Sequence, residues 1–116
     1  MNPSFMLFTR DVSAMTRFYL ALGFRHRLSG RGGNWAELEW NGFVLSLHGQ
    51  AGELPPVGRL QIGFETSDLD LTLQDLSRAG LNPPAIVDEA FGRILHLTDP
   101  DGNVLYIVQN EPELYV

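Results

Sequence analysis

Apolar and polar residues alternate along this chain with two periods, two and about three and a half, and each switch between them marks an element boundary. Residues 4–8 alternate, with Phe5 and Leu7 on one side and Ser4, Met6 and Phe8 on the other, which predicts a short strand. From Val12 the period lengthens: Val12, Met15, Phe18, Tyr19 and Leu22 form the apolar stripe of a helix. Asp11 stands where its carboxylate accepts from the free amides of the first turn, and Gly23-Phe24 where a left-handed residue ends a helix. A short strand over 26–28 and a Gly-rich loop over 29–34 follow. Residues 35–40 and 43–47 then alternate on either side of Asn41-Gly42, a pair suited to a two-residue hairpin turn because both positions need positive φ. Facing residues sum to 83, so Trp35 faces His48, Glu37 faces Ser46 and Glu39 faces Val44. The other face, Ala36, Leu38, Trp40, Phe43, Leu45 and Leu47, is core.

After a Pro- and Gly-rich stretch the pattern returns. Residues 60–65 read as a strand, Asp68 as a cap, Leu69, Leu73, Leu76 and Ala79 as a helical stripe, and Gly80-Leu81 as its end. Asp11 to Gly23 and Asp68 to Gly80 are each twelve positions, so a constant offset of 57 carries strand, cap and terminator of one half onto the other. A short strand over 85–87, a loop over 88–92 and a hairpin over 93–109 complete the second half. That hairpin turns at Asp99-Pro100-Asp101-Gly102-Asn103, where Pro sets φ, Gly supplies positive φ and the Asp and Asn side chains bind local amides. Facing residues sum to 202, placing His96 opposite Tyr106 on one face with Ile94, Thr98, Val104 and Val108, while Leu95, Leu97, Leu105 and Ile107 form the core face. The expected architecture is α+β, two tandem βαβββ modules in one domain of 116 residues: module 1 about 1–49, a linker about 50–58 and module 2 about 59–110.

Composition changes the functional picture more than the fold. Eight basic against fourteen acidic residues give a net charge of −6, which speaks against nucleic acid or an anionic membrane as partner. The absence of cysteine excludes disulfides and thiolate metal sites. No basic, apolar leader opens the chain and no apolar run approaches the ~20 residues of a membrane span, so a cytoplasmic location is expected.

Three motifs in order carry a family resemblance: Asp11 through Phe18-Tyr19 to Leu22-Gly23-Phe24, the echo from Asp68 to Ala79-Gly80, and Asp99-Pro100-Asp101-Gly102-Asn103. Over essentially its whole length the chain resembles the vicinal-oxygen-chelate superfamily of glyoxalase I, extradiol dioxygenases, fosfomycin-resistance enzymes and bleomycin-resistance proteins. The resemblance implies a cupped mixed sheet with helices outside and a ligand cavity inside, and a homodimer. It also implies, for the enzymes, a divalent metal held on the first and last inner strands of each module. The matching positions here read Ser4, Ser46, Gln61 and Tyr106, offering hydroxyl, phenol and amide oxygens where a stable site wants imidazoles and carboxylates. Neither a metal nor another cofactor is expected.

The remaining inward residues suggest a small-molecule site formed by Trp35, Glu37, Ser46, His48, Gln61, Glu65, His96 and Tyr106. Glu37 and Glu65 beside Trp35 and Tyr106 suit a cation, by charge and by ring face, and no Lys or Arg in the inferred inner set neutralises Glu37. His96 and Tyr106, with Glu37, are candidates for catalytic acid–base work; the plainer reading is a hydrogen-bonded cross-strand pair lining the cavity. His48 with Glu37 carries the same two readings. The expected function is metal-independent binding of a planar or cationic organic ligand by sequestration, as in bleomycin-resistance proteins. The alternatives are a superfamily enzyme of lyase, isomerase or transferase type with an atypical or metal-free mechanism, and a protein-interaction subunit whose cup Met6, Phe8, Ile94 and Val108 fill.

Overall fold

The computed structural model describes residues 4–51, 62–89 and 92–110. The chain divides into two compact units, Met1–Val57 and Gly58–Val116. The first holds β1 (Ser4–Thr9), α1 (Val12–Leu22), β2 (Arg25–Ser29), β3 (Trp35–Trp40) and β4 (Phe43–Gly49). The second holds β5 (Ile62–Glu65), α2 (Leu69–Arg78), β6 (Val87–Glu89), β7 (Gly92–Thr98) and β8 (Val104–Asn110). Each unit is one mixed four-stranded sheet, in the orders β1-β4-β3-β2 and β5-β8-β7-β6. In both, the first strand runs parallel to the last and the other pairs are antiparallel. This is the βαβββ repeat that the offset of 57 predicts.

The repeat extends to single hydrogen bonds. Asp11 Oδ1 accepts from the Ala14 amide at 2.9 Å, and Asp68 Oδ1 from the Leu71 amide at 3.0 Å. Each cap is in turn braced by a threonine two residues earlier, Thr9 Oγ1 accepting from the Asp11 amide and Thr66 Oγ1 from the Asp68 amide. At the far end the Gly23 amide donates to Leu20 O and the Phe24 amide to Tyr19 O; Gly80 and Leu81 do the same to Ser77 and Leu76. Gly23 and Gly80 have φ of 133° and 91°, which an L side chain rarely adopts, so glycine is the residue that permits this double closure.

Both hairpins keep the predicted registers, Trp35 opposite His48 and Glu37 opposite Ser46 in one, His96 opposite Tyr106 in the other. Asn41 and Gly42 both have positive φ, 49° and 83°. The second turn winds around the buried Asp99, whose Oδ1 accepts from the Asp101 and Asn103 amides while Oδ2 accepts from Asn103 Nδ2.

The core of the first unit is aromatic. Tyr19 of α1 meets Phe24 edge-on at 5.6 Å, and Phe24 meets Trp40 at 5.4 Å and Phe43 at 5.9 Å. Met15, Leu22, Ala36, Leu38, Leu45 and Leu47 close around them. Among the described residues of the second unit the buried apolar side chains are aliphatic: Leu69 and Leu76 of α2, and Leu95, Leu97, Leu105, Ile107 and Val108 of the sheet. Polar ties supplement them. Gln109 Oε1 accepts from the Leu69 amide at 2.7 Å, and Arg93 grips Asp70 through both terminal nitrogens at 2.8 and 3.2 Å. That guanidinium holds the Asp70 carboxyl below the usual carboxylate range, chiefly by the hydrogen bond.

Some boundaries differ from expectation. The sixth strand spans Val87–Glu89, not 85–87, so Asp88 and Glu89 belong to a strand and Gly92 opens the next. All three of its residues are exposed, and an edge strand without a buried face leaves no hydrophobic period to read. β2 is longer than 26–28 and slips register between His26 and Leu28, a bulge that only its partner strand defines. Gln61, and the expected linker beyond residue 51, lie outside the described residues.

Candidate functional site

The ring chain from Tyr19 through Phe24 to Trp40 and Phe43 shows which face of the first sheet the helix covers. By alternation, Trp35, Glu37 and Glu39 of β3 and Val44, Ser46 and His48 of β4 take the opposite, open face. The parallel β1–β4 ladder adds Met6 beside Ser46 and Phe8 beside His48, and the bulged β2 adds Leu28 beside Glu37.

Three rings meet on this open face. The Trp35 and His48 centroids lie 5.7 Å apart with perpendicular planes, and Phe8 stands 5.2 Å from His48 on the other side. The Trp35 indole N–H donates to Glu37 Oε2 at 3.0 Å, which fixes the indole's orientation. Met6 and Phe8 on β1 and Leu28 on β2 are 47%, 37% and 42% exposed, apolar margins at the two edges of a face with no helix of its own unit. Ser46 is buried at the centre. His48 Nδ1 sits 2.8 Å from Gly49 O. An apolar aromatic shelf with a few oriented polar groups is the chemistry of an organic-ligand site.

The carboxylates are not free, which corrects one expectation. Arg27 reaches Glu37 at 3.9 Å and Arg25 reaches Glu39 at 3.3 Å, so arginines do stand beside the inner glutamates. The reason is the bulge, which lets Arg27 reach Glu37 although Leu28 is Glu37's ladder partner. Both pairs are partly exposed and worth ~0–1 kcal/mol each. Their consequence is electrostatic: Glu37 already carries a guanidinium and an indole N–H. His48 and Glu37 are not joined by a hydrogen bond, each having the partners just named.

In the second unit, Arg93 and Gln109 reach α2, so Ile94, His96, Tyr106 and Val108 take the open face. His96 is exposed and Tyr106 half-buried, and although they face each other no hydrogen bond joins them among the described residues, against the expectation of a bonded pair. The Tyr106 ring lies instead over Gly63, where an added Cβ would run into Cζ. Glu65 is engaged as well, accepting from Asn110 Nδ2.

The divalent metal implied for enzymes of this architecture does not fit these residues. Met6 opposite Ser46 in one unit corresponds to Gly63 opposite Tyr106 in the other, so Ser46 and Tyr106 hold equivalent places and offer an alcohol and a phenol. Among the described residues no three His, Asp or Glu side chains converge as a ligand set. Of the residues expected in a site, the structure brings Trp35, Glu37, Ser46 and His48 together in the first unit and His96 and Tyr106 in the second. Met6 and Phe8 were legible as inward residues but not as neighbours of Ser46 and His48, and Leu28 and Arg27 were not legible as members of the first group. Alternation gives the side of a strand but not its partner in a parallel ladder.

No helix among the described residues is long and apolar enough to cross a membrane. A family model described as Glyoxalase/Bleomycin resistance protein/Dioxygenase superfamily matches residues 3–107. No curated protein sequence matches. Among solved structures the chain is similar to TnmS3, an antibiotic binding protein from Streptomyces sp. CB03234, with 25% identity and a TM-score of 0.75 over 96% of each chain. It is similar to the bleomycin resistance determinant encoded on transposon Tn5, with 22% identity and a TM-score of 0.73 over 96% of this chain and 98% of that one. It is also similar to lactoylglutathione lyase from Agrobacterium tumefaciens, with 15% identity and a TM-score of 0.72 over 93% and 92%.

Proposed function

The chain belongs to the glyoxalase/bleomycin resistance protein/dioxygenase superfamily, and on that premise we propose that it binds an organic small molecule through a planar aromatic group, without catalysis. The observation that carries this reading is the ring cluster Phe8–His48–Trp35 with its exposed apolar rim on the open face of the first sheet. The likeness to an antibiotic binding protein supports it. Between the planar and the cationic ligand, the engaged state of Glu37 and Glu65 favours the planar one: a cation would have to displace Arg27 and the indole N–H from one and Asn110 from the other. Stacking of a ligand ring on such a cluster contributes ~0.5–1.5 kcal/mol beyond the area it buries. The protein acts by sequestration in the cytoplasm, as a homodimer at micromolar concentration.

Trp35 supplies the assay. A panel of neutral and cationic planar aromatics is titrated while tryptophan fluorescence is followed, in the full chain and in Trp35→Phe. Quenching by neutral members with micromolar midpoints, lost in Trp35→Phe, is expected. Absence of any response below millimolar concentration, or an unchanged response in Trp35→Phe, counts against the site.

A further inference from the structure

We propose that His48 is a specificity-determining residue which reads a hydrogen-bond donor, such as a phenolic hydroxyl, on the edge of the bound aromatic group. The inference rests on the ligand site proposed above and deepens it.

It starts from the proton on the imidazole. A peptide carbonyl accepts and never donates, so the 2.8 Å contact between His48 Nδ1 and Gly49 O requires the proton on Nδ1. On the neutral ring Nε2 is then a bare lone pair. Among the described residues no group satisfies it, and His48 has no second hydrogen bond. Nor is it sealed away, because the buried side-chain polar atom without a partner among the described residues is Asp101 Oδ2 and not His48 Nε2. The ring is held in place by the Gly49 bond and by Phe8 and Trp35 on its flanks.

The neighbouring polar groups sharpen the reading. The Trp35 N–H is committed to Glu37, so the cluster presents no free indole donor to a ligand's carbonyl or ether oxygen. Glu37 accepts that N–H through Oε2 and faces Arg27 through Oε1, so its carboxylate already serves two groups of the protein. Nε2 is the acceptor that the rings of the shelf themselves hold in place. A ligand that stacks here and carries a donor at its edge is favoured over the same ring system with the donor methylated.

The test uses a matched pair of probes, 2-naphthol and 2-methoxynaphthalene, which share the ring system and differ in the donor. Affinities are measured by calorimetry on the full chain. The naphthol is expected to bind roughly two- to tenfold tighter, the range of one neutral hydrogen bond. In His48→Phe the preference is expected to disappear, the two probes binding alike. Long-range proton–nitrogen NMR of the ligand-free protein reads the tautomer directly and is expected to find the proton on Nδ1. Equal affinities of the two probes, a preference that survives in His48→Phe, or a neutral ring protonated at Nε2 overturns the assignment while leaving the ligand site standing. If neither probe binds up to millimolar concentration, the site itself fails and the assignment falls with it.

Discussion

The two units have the same scaffold and opposite fillings. Caps and terminators repeat bond for bond, yet the residues packed around them do not. On the helices, Met15, Tyr19 and Leu22 of α1 are buried, whereas the equivalent positions of the second unit hold Thr72, Leu76 and the exposed Ala79. On the open faces the volumes swap strands: Met6 beside Ser46 in the first unit becomes Gly63 beside Tyr106 in the second. The large side chain projects from the first strand in one case and lies over it in the other. Backbone-defining positions tolerate little after a duplication, because a cap or a left-handed turn has few chemical solutions. Faces tolerate much more, and so one unit carries an aromatic shelf while the other carries an exposed histidine opposite a tyrosine.

The comparison breaks most visibly in the cores. Met15→Ala empties a fully buried site and is expected to lower stability by ~2–5 kcal/mol. Thr72→Ala, at the equivalent place, removes a half-buried methyl group and a hydroxyl that bonds Thr66 and Asp68 O, for ~0.5–1.5 kcal/mol. Urea denaturation of both variants measures the difference. Equal losses would mean that the two helices are anchored alike.

A smaller effect tests the volume swap. Gly63→Ala places a methyl group in the Tyr106 ring, and the ring must leave its seat, at ~1–3 kcal/mol. Met6→Ala, where the side chain is nearly half exposed, is expected to stay within ~0.5 kcal/mol. Adding Tyr106→Ala to Gly63→Ala should restore most of the loss relative to Tyr106→Ala alone. A double variant that shows no such relief would remove the ring contact as the cause.

What was legible in the sequence follows the same division. Asp11, Gly23, Asn41-Gly42 and Asp99 act on neighbours within a few residues, so their chemistry could be read without any knowledge of partners. The hairpin registers followed from turn type and gave Trp35–His48 and His96–Tyr106 correctly. Three features depend on strands brought from elsewhere and stayed hidden. The parallel ladder that sets Phe8 beside His48, the bulge that brings Arg27 to Glu37 and the bounds of the exposed strand Val87–Glu89, expected over 85–87, leave no periodic mark. The candidate site was therefore half legible: the inward side of Met6, Phe8, Trp35 and His48 was, and Leu28, the neighbours across the parallel ladder and the arginine counter-charges were not.

The smallest expected effect concerns acid. In the second unit Arg93 binds Asp70 of α2 and also reaches Asp88 at 3.6 Å; the position equivalent to Asp70 in α1 is Ser13, which bonds Arg17 of the same helix. Asp70 is therefore an acid-sensitive tie between helix and sheet that α1 lacks at this position. Its folded pKa is lowered by the Arg93 hydrogen bond, so the folded state favours the ionised form. The stabilisation is complete above the ordinary aspartate value of about 3.9 and is lost as pH falls below it through the lowered folded value. Because Asp70 is exposed, the contribution is modest and weakens with salt. Carbon NMR of the Asp70 carboxyl should give a midpoint below the ordinary aspartate value, and Arg93→Gln should return it upward. Stability measured against pH should fall less steeply on the acid side in Asp70→Asn than in the wild type, while Ser13→Ala leaves that slope unchanged. A normal Asp70 midpoint, or an acid slope indifferent to Asp70→Asn, would show that α2 is held by Leu69, Leu76 and Gln109 alone.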